Sequence, residues 1–424
     1  MNGPARGQGP ASLSAEPELR AKLGELARLE PTPEVADELL ARVAWSRLAE
    51  PGDGIAGALI GAFGAGPLLR MLVERTAPRR IAQRAREAGL ELPERGVVEA
   101  IARWSPRLDR SGTVGDIDRA LAAGLGVVAP GSAHWPGSLD DLGAHAPLLL
   151  WVRGDPALLG APSFSVVGAR AATGYGTHIT AEIVDGICQA GFSIVSGAAY
   201  GIDAVAHRTA LAAEAPTVAV LAGGADRAYP AAHDTLLDRI AGAGLVCAEM
   251  IPGAAPTKWR FRMRNRLIAS LSPVTLVTEA GVRSGTINTA GHAATLGRAI
   301  AAVPGPVTSA ASAGCHLLIR EYGAVLVTNA REACEVAGLD DHLDLGSGVG
   351  SGAGSAARMP QLHERVLDAL PLRGGRTSLE VARRAGVSEG DARGALAELE
   401  VLDRVRRGDS PDGEGVRWAL VRPQ

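Results

Sequence analysis

From Glu18 to about Leu125 apolar residues recur at i, i+3 and i+4, most clearly in ELRAKLGELARLE and PEVADELLARVAWSRLAE. That spacing predicts amphipathic helices, punctuated by Pro and Gly. GDGIAGALIGAFGAGPLLRMLVE reads as two short helices around a glycine turn, either a helix-hairpin-helix (or SAM-like unit) that lays backbone N–H groups against phosphates or an ordinary αα-hairpin. From about Gly131 the grammar changes. Short continuous apolar runs alternate with helical stretches: LLLWV, SFSVVG, FSIVSG, TVAVLAGG, LVCAE, VTLVTEAG, AIAAVPG and AVLVT. Such runs are strands buried on both faces, so an α/β fold is expected, a Rossmann-like, doubly wound, mostly parallel sheet.

After this comes LDLGSGVGSGAGSAARMP, a Gly/Ser-rich linker. SLEVARRAGVSEGDARGALAELEVLDRVRR then reads helix, turn, helix, strand, with Thr377 or Ser378 and Ser388 as caps and VRWALV as the return strand of a wing. The expected organisation is a disordered tail over 1–17, a helical N-terminal domain over 18–130 and a Rossmann-like domain over 131–341. A linker over 342–358 and a winged-helix domain over 359–424 complete it. Glu389, Asp391, Glu398 and Glu400 against Arg393 on the second helix of that last domain favour a protein-binding or packing role over DNA.

Composition sharpens this. The chain has 43 Lys+Arg against 46 Asp+Glu, so any anion site must be a local patch and not a global field. Lys22 and Lys258 are the only lysines. Aromatics are 3% of residues, which argues against an RNA-recognition fold built on stacking platforms. No apolar run approaches the ~20 residues of a membrane span, and the N-terminus lacks a secretory apolar core. Cys188, Cys247, Cys315 and Cys334 lie far apart with no CxxC pair. Neither a disulfide framework nor a metal site is expected, and a reducing cytoplasm is the simplest setting.

Candidate chemistry clusters where strands end. Gly168 and Arg170 follow one strand, Ser196 and Gly197 end another ahead of Gly201 and Asp203, and Gly223 and Gly224 end a third. A fourth leads through TEAGVRSGT to a helix near Ser284, Gly285 and Thr286. In an open parallel sheet ligands sit at the carboxyl ends of strands, and glycine turns with helix N-termini suit phosphates. None of these turns matches GxGxxG or GxxxxGK[ST], which removes most support for nicotinamide or ATP chemistry. Lys258, Arg260, Arg262, Arg264 and Arg266 alternate with Trp259, Phe261 and Met263. As an extended segment this run would place all five cations on one side, whereas a helix would split them. It is either a solvated basic face or a groove for a polynucleotide backbone. Asp203 and His207 are expected to cap and to hydrogen-bond in the interior, and not to do acid–base work. Glu279 is either a general acid or base or an acceptor of loop N–H groups. Cys315–His316 is expected to pack.

VVGAR, Tyr175-Gly, SGAAYGIDAVAH, GGADRAYP, the turn at Glu249, Phe261-RMRNRLIASLS, the SGT loop and VPGP follow one another in an order that resembles the DprA/Smf family of bacterial DNA-processing proteins of natural transformation. The resemblance covers about residues 130–335. It implies a non-enzymatic, cofactor-free binder that protects incoming single-stranded DNA, loads the RecA recombinase and dimerises through its Rossmann-like domain. By motif it implies strand binding by Gly168, Arg170, Ser196, Gly197, Lys258, Arg264, Asn265 and Arg266. Position adds Gly201, Ser284, Gly285 and Thr286. The family pattern Phe-Pro-x-Arg-Asn reads Phe261-Arg262-Met263-Arg264-Asn265 here, so Arg262 is an added cation. Cys315-His316 stands where the family often has Asn after the late glycine. Two other expectations compete. Glu279-AGVRSG-Thr286 resembles the PGGxGTxxE loop of LOG-type nucleotide phosphoribohydrolases, without its PGG and without the Glu after Thr286. A regulator acting through a winged helix is the third.

Overall fold

A computed structural model describes residues 16–338, 361–371, 374–401, 404–409 and 416–421. The chain divides into two compact units, Met1–Gly346 and Ser347–Gln424. The expected tail falls almost wholly outside the described residues, and the expected linker entirely.

The first unit opens with seven helices: α1 Pro17–Ala27, α2 Pro33–Leu48, α3 Gly54–Phe63, α4 Ala65–Val73, α5 Pro78–Glu87, α6 Glu94–Trp104 and α7 Arg110–Ala122. Strands β1 Gly126–Val128, β2 Leu150–Gly154 and β3 Ser163–Val167 follow. Then helix and strand alternate: α8 Gly174–Gln189, β4 Ser193–Ser196, α9 Ile202–Ala212, β5 Thr217–Gly224, α10 Asp234–Ala243 and β6 Leu245–Met250. The alternation ends with α11 Lys258–Leu271, β7 Val274–Val277, α12 Gly285–Thr295, β8 Ala299–Ala302, α13 Ala313–Glu321, β9 Val325–Leu326 and α14 Ala330–Val336.

The nine strands form one sheet in the order β1-β2-β6-β5-β4-β3-β7-β8-β9. From β6 to β9 all neighbours are parallel, and β1 and β2 add an antiparallel edge. The eight apolar runs read from the sequence are β2 to β9. The three-residue β1, which carries no alternation, extends the sheet ahead of Gly131 into the stretch expected to be helical. Strand order reverses between β3 and β7, the two strands that flank the topological switch point.

The helical region does not stand apart from this sheet. Leu23 and Leu26 of α1, Leu40 and Val43 of α2 and Ile117 of α7 share one core with Trp151, Val246 and Leu237. A second core, with Trp45 and Trp104 edge to face at 5.1 Å, holds α3 to α6 together. The glycine-turn hairpin is α3 and α4, meeting at 107° about Gly64. Among the described residues no single helix is long and apolar enough to cross a membrane.

The basic run is helical from its first residue, which overturns the extended reading. Thr257 caps α11 by accepting the Arg260 N–H at 3.2 Å. Leu267, Ile268 and Leu271 bury the far half of α11, and this fixes its rotation. At ~100° per residue, Lys258, Arg262 and Asn265 then share a face, while Arg260 and Arg264 turn from it.

In the second unit α15 Gln361–Asp368, α16 Ser378–Ala385 and α17 Glu389–Val401 precede an antiparallel hairpin of β10 Val405–Asp409 and β11 Val416–Leu420. Thr377 and Glu380 form a capping box on α16, and Ser388 accepts the Asp391 N–H at 3.1 Å. Val366, Val381, Leu396, Leu399 and Trp418 make its core.

Candidate nucleic-acid interface

An open cleft of about 1070 Å³ lies at the switch point, outside the carboxyl ends of β3 and β7. Its walls are the loop after β3, the cleft face of α11, and the loop leading into α12. Gly168, Arg170, Lys258, Arg262, Arg264, Asn265, Ser284, Gly285 and Thr286 all line it. Sequence reasoning named each of these.

Four cleft cations are exposed: Arg170, Lys258, Arg262 and Arg283. None is in an ion pair among the described residues. The Arg170 guanidinium lies 5.2 Å from the centre of the Phe261 ring. Arg283, Asn288, Tyr229 and Phe261 also line the cleft and were missed as site residues. Arg283 stands in the VRSGT loop, so its neighbourhood to the glycine turn was the available signal. The α12 N-terminus forms part of the wall. Ser284 caps it through the Thr286 N–H at 3.2 Å, and the Thr286 hydroxyl donates to the Gly168 carbonyl at 2.9 Å. Thr286 thereby ties α12 to the loop after β3. Asn265 ties α11 to α12 by donating to Asn288 Oδ1 at 3.2 Å.

Arg264 reaches the cleft from beneath. The residue is 6% exposed, and its guanidinium donates to the Gly197 and Val220 carbonyls. Burial lowers its pKa to about 10, with Asp203 acting in the opposite direction. Asp203 is buried too, and burial raises its pKa, while Arg264 and the N–H groups of Ala199, Gly168 and Gly197 lower it. The two charges form a floor that organises the loops after β3 and β4. A Cβ at Gly197 would stand 2.2 Å from the Arg264 guanidinium, so this glycine is set by close approach. Gly201 has φ +75°, and a Cβ there would stand 2.2 Å from the Ala169 carbonyl oxygen. It holds the loop after β3 from behind and does not line the cleft.

Besides Gly201, three expected contacts are corrected. Arg266 is 2% exposed, is paired with Glu249 and does not line the cleft. The helical phase carries it into the interface with the Gly52 turn, whose N–H also donates to Glu249 at 3.2 Å. Ser196 is fully buried, and its hydroxyl donates to the Val166 carbonyl at 2.6 Å, so it is sheet structure. Gly197 lines a neighbouring slot and not the main cleft. Arg260, too, is spoken for: it is bridged to Glu50, which also holds Arg107.

The candidate acid–base groups are engaged in structure. Glu279 accepts the Thr173 N–H at 2.9 Å and the Thr173 hydroxyl at 2.6 Å, and it is 2% exposed. His207 is buried against the Thr217 hydroxyl at 2.7 Å, and burial lowers its pKa to about 3. Cys315 and His316 point to backbone carbonyls of Val277 and Gly305.

The family model for DNA recombination-mediator protein A matches residues 126–338. A putative DNA processing protein DprA of Mycobacterium tuberculosis is 44% identical over 321 residues, covering 72% of this chain and 80% of that one. The DNA processing protein DprA of Streptococcus pneumoniae is 41% identical over 198 residues, covering 47% of this chain and 69% of that one. The X-ray structure of DprA from Streptococcus pneumoniae superposes with TM-score 0.57 at 29% identity, over 70% of this chain and 97% of the other. The matched span runs from β1 to the end of α14 and contains every wall of the cleft, and on these grounds the chain belongs to the DNA recombination-mediator protein A (DprA/Smf) family.

Proposed function

We propose that the cleft holds the sugar–phosphate backbone of single-stranded DNA and that the protein acts as a recombination mediator with no chemistry of its own. The observation that carries this is the set Arg170, Lys258, Arg262 and Arg283, exposed around one concavity and free of acid partners among the described residues. Each phosphate neutralised there would release a condensed counterion. The α12 N-terminus adds oriented amides and the positive end of a helix dipole. Tyr229 and Phe261 stand beside the cations with rings 5.5 Å apart. Ring faces of this kind serve a strand whose bases are unstacked, which favours single strands over duplex. Backbone contacts and stacking would make recognition tolerant of sequence.

Protection of incoming strands, delivery of the strand to a RecA-class recombinase, dimerisation through the α/β unit and a winged-helix reading of the second unit belong to the same proposal. The family membership supports them. The three helices and hairpin of the second unit have the element order such a domain requires. Against the phosphoribohydrolase alternative stands Glu279, whose carboxylate is turned to Thr173 at the start of α8.

Fluorescence anisotropy of a labelled oligonucleotide tests the assignment. Arg170→Ala, Lys258→Ala and Arg283→Ala should each weaken binding to all sequences alike. Each should also flatten the salt slope, by ~0.7 per lost phosphate contact. Altered sequence preference with an intact salt slope would refute the phosphate role.

A further inference from the structure

The helical region reaches the basic helix of the cleft from behind, through the turn that follows α2. At ~100° per residue Arg260, Met263 and Arg266 lie on the side of α11 away from Lys258, Arg262 and Asn265. All three meet that turn. Glu50 takes Arg260 in a bidentate pair, Nε to Oε2 and Nη2 to Oε1, both at 2.9 Å. Gly52 packs over the other two: with φ +71°, a Cβ there would stand 3.2 Å from the Met263 Sδ and 3.0 Å from the Arg266 Nε. The turn is itself pinned to the helical core. Arg107, just past α6, donates to Glu50 at 2.9 Å and to the Leu48 carbonyl at 3.3 Å, and Trp104 donates to Asp53 at 3.1 Å. The remaining nitrogen of Arg260, Nη1, donates to the Ala255 carbonyl at 2.8 Å, in the loop that enters α11.

We infer that Glu50 is a positioning residue for the cleft: by holding Arg260 it fixes the first turn of α11 and the loop before it, and so sets where Lys258 and Arg262 stand. The inference rests on the reading of the cleft as a single-strand site. The first N–H groups of a helix have no partner within it, and its first turn is where it frays. Here Thr257 caps one of them, at 3.2 Å. Lys258 is the first residue of α11 and Arg262 stands one turn on, so both cations depend on that turn being formed. The Arg260 side chain is 17% exposed, and each of its guanidinium nitrogens is engaged. A planar bidentate pair fixes direction as well as distance, which a single surface contact does not. Glu50 therefore acts on the strand through Arg260 and touches no phosphate. The helical region supplies none of the residues that line the cleft, and this contact gives it a part in setting the cleft's affinity.

Charge counting and positioning predict opposite outcomes for Glu50→Gln. Loss of a carboxylate makes the protein less anionic, and a freed Arg260 would add a cation, so on charge alone single-strand binding tightens and its salt slope steepens. If Glu50 positions the turn, binding weakens several-fold and the slope flattens, by up to ~0.7 for each of the two cations displaced. Anisotropy of a labelled oligonucleotide across a salt series reads both. Arg260→Lys is the second variant: it keeps the charge, loses the bidentate pair and should weaken binding in the same way. The double variant Glu50→Gln/Arg260→Lys should bind no more weakly than the weaker single one, because both changes remove one link. Titration at protein concentrations well above Kd counts the binding-competent molecules, so a folding defect alone shows as fewer sites with the wild-type slope. That result, wild-type affinity in either single variant, or tighter binding with a steeper slope in Glu50→Gln would overturn the positioning role while leaving the phosphate cleft intact. Binding by the wild-type protein that ignores salt would instead overturn the reading of the cleft on which the inference rests.

Discussion

Two arginines four residues apart in effect but opposite in role show how burial decides function. Arg262 is exposed on the cleft, whereas Arg266 is 2% exposed against Glu249. An exposed cation adds affinity for an anion at small cost to the fold. A buried one, once removed, strands its partner's charge, and such a break typically costs ~3–5 kcal/mol. Arg266→Ala should therefore lower the midpoint of urea unfolding strongly, while Arg262→Ala leaves it unchanged and weakens binding. Equal stability of the two variants would contradict this division. Sequence reading grouped both residues because alternation with Trp259, Phe261 and Met263 is compatible with a strand. In the helix they lie one turn apart, and Arg266 falls in the buried half that Leu267, Ile268 and Leu271 continue. Arg283 was overlooked for a related reason: it is a lone cation in sequence, and the fold alone brings it to Arg170 and Lys258.

At the scale of elements the site depends on where helices begin. The start of α11 carries Lys258 and Arg262, and Thr257 caps it. Thr257→Ala should cost ~1 kcal/mol of stability and fray the first turn. The affinity for single strands should then fall with no change in sequence preference, as anisotropy and urea unfolding on one sample would show. Unchanged affinity with the expected loss of stability would mean that the first turn does not present the cations. The strands of the parallel core were legible because continuous Val, Ile and Leu runs bounded by glycine have few other solutions. Edge strand β1 was not, because three residues following a helix offer no period to read. The merger of α1, α2 and α7 with the sheet was also hidden. Their apolar stripes announce that a face is buried without saying what buries it.

For the whole molecule, buried His207 and Asp203 link stability to pH. His207 is held neutral with its pKa lowered to about 3, against an ordinary 6.5. Between those values the unfolded chain binds a proton that the native chain refuses. His207 therefore contributes full stability above ~6.5, and the contribution is lost as pH falls toward 3, at up to ~1.4 kcal/mol per unit. Asp203, raised by burial from the ordinary 3.8, acts with the opposite sign, its contribution being present below that value and lost as pH rises through its own titration. Unfolding free energies at pH 7 and pH 5 should differ less in a His207→Asn variant than in the wild-type protein, and an unchanged difference would show that His207 is not the source. The central claim concerns what the cleft at the switch point holds. It is tested most directly by measuring binding of one labelled oligonucleotide, single-stranded and as a duplex, across a salt series, with an Arg170→Ala/Lys258→Ala double variant alongside. The account predicts tighter binding of the single strand, a steep salt dependence, and loss of both in the double variant. Preference for duplex, or single-strand binding that ignores salt and survives the double substitution, would contradict it.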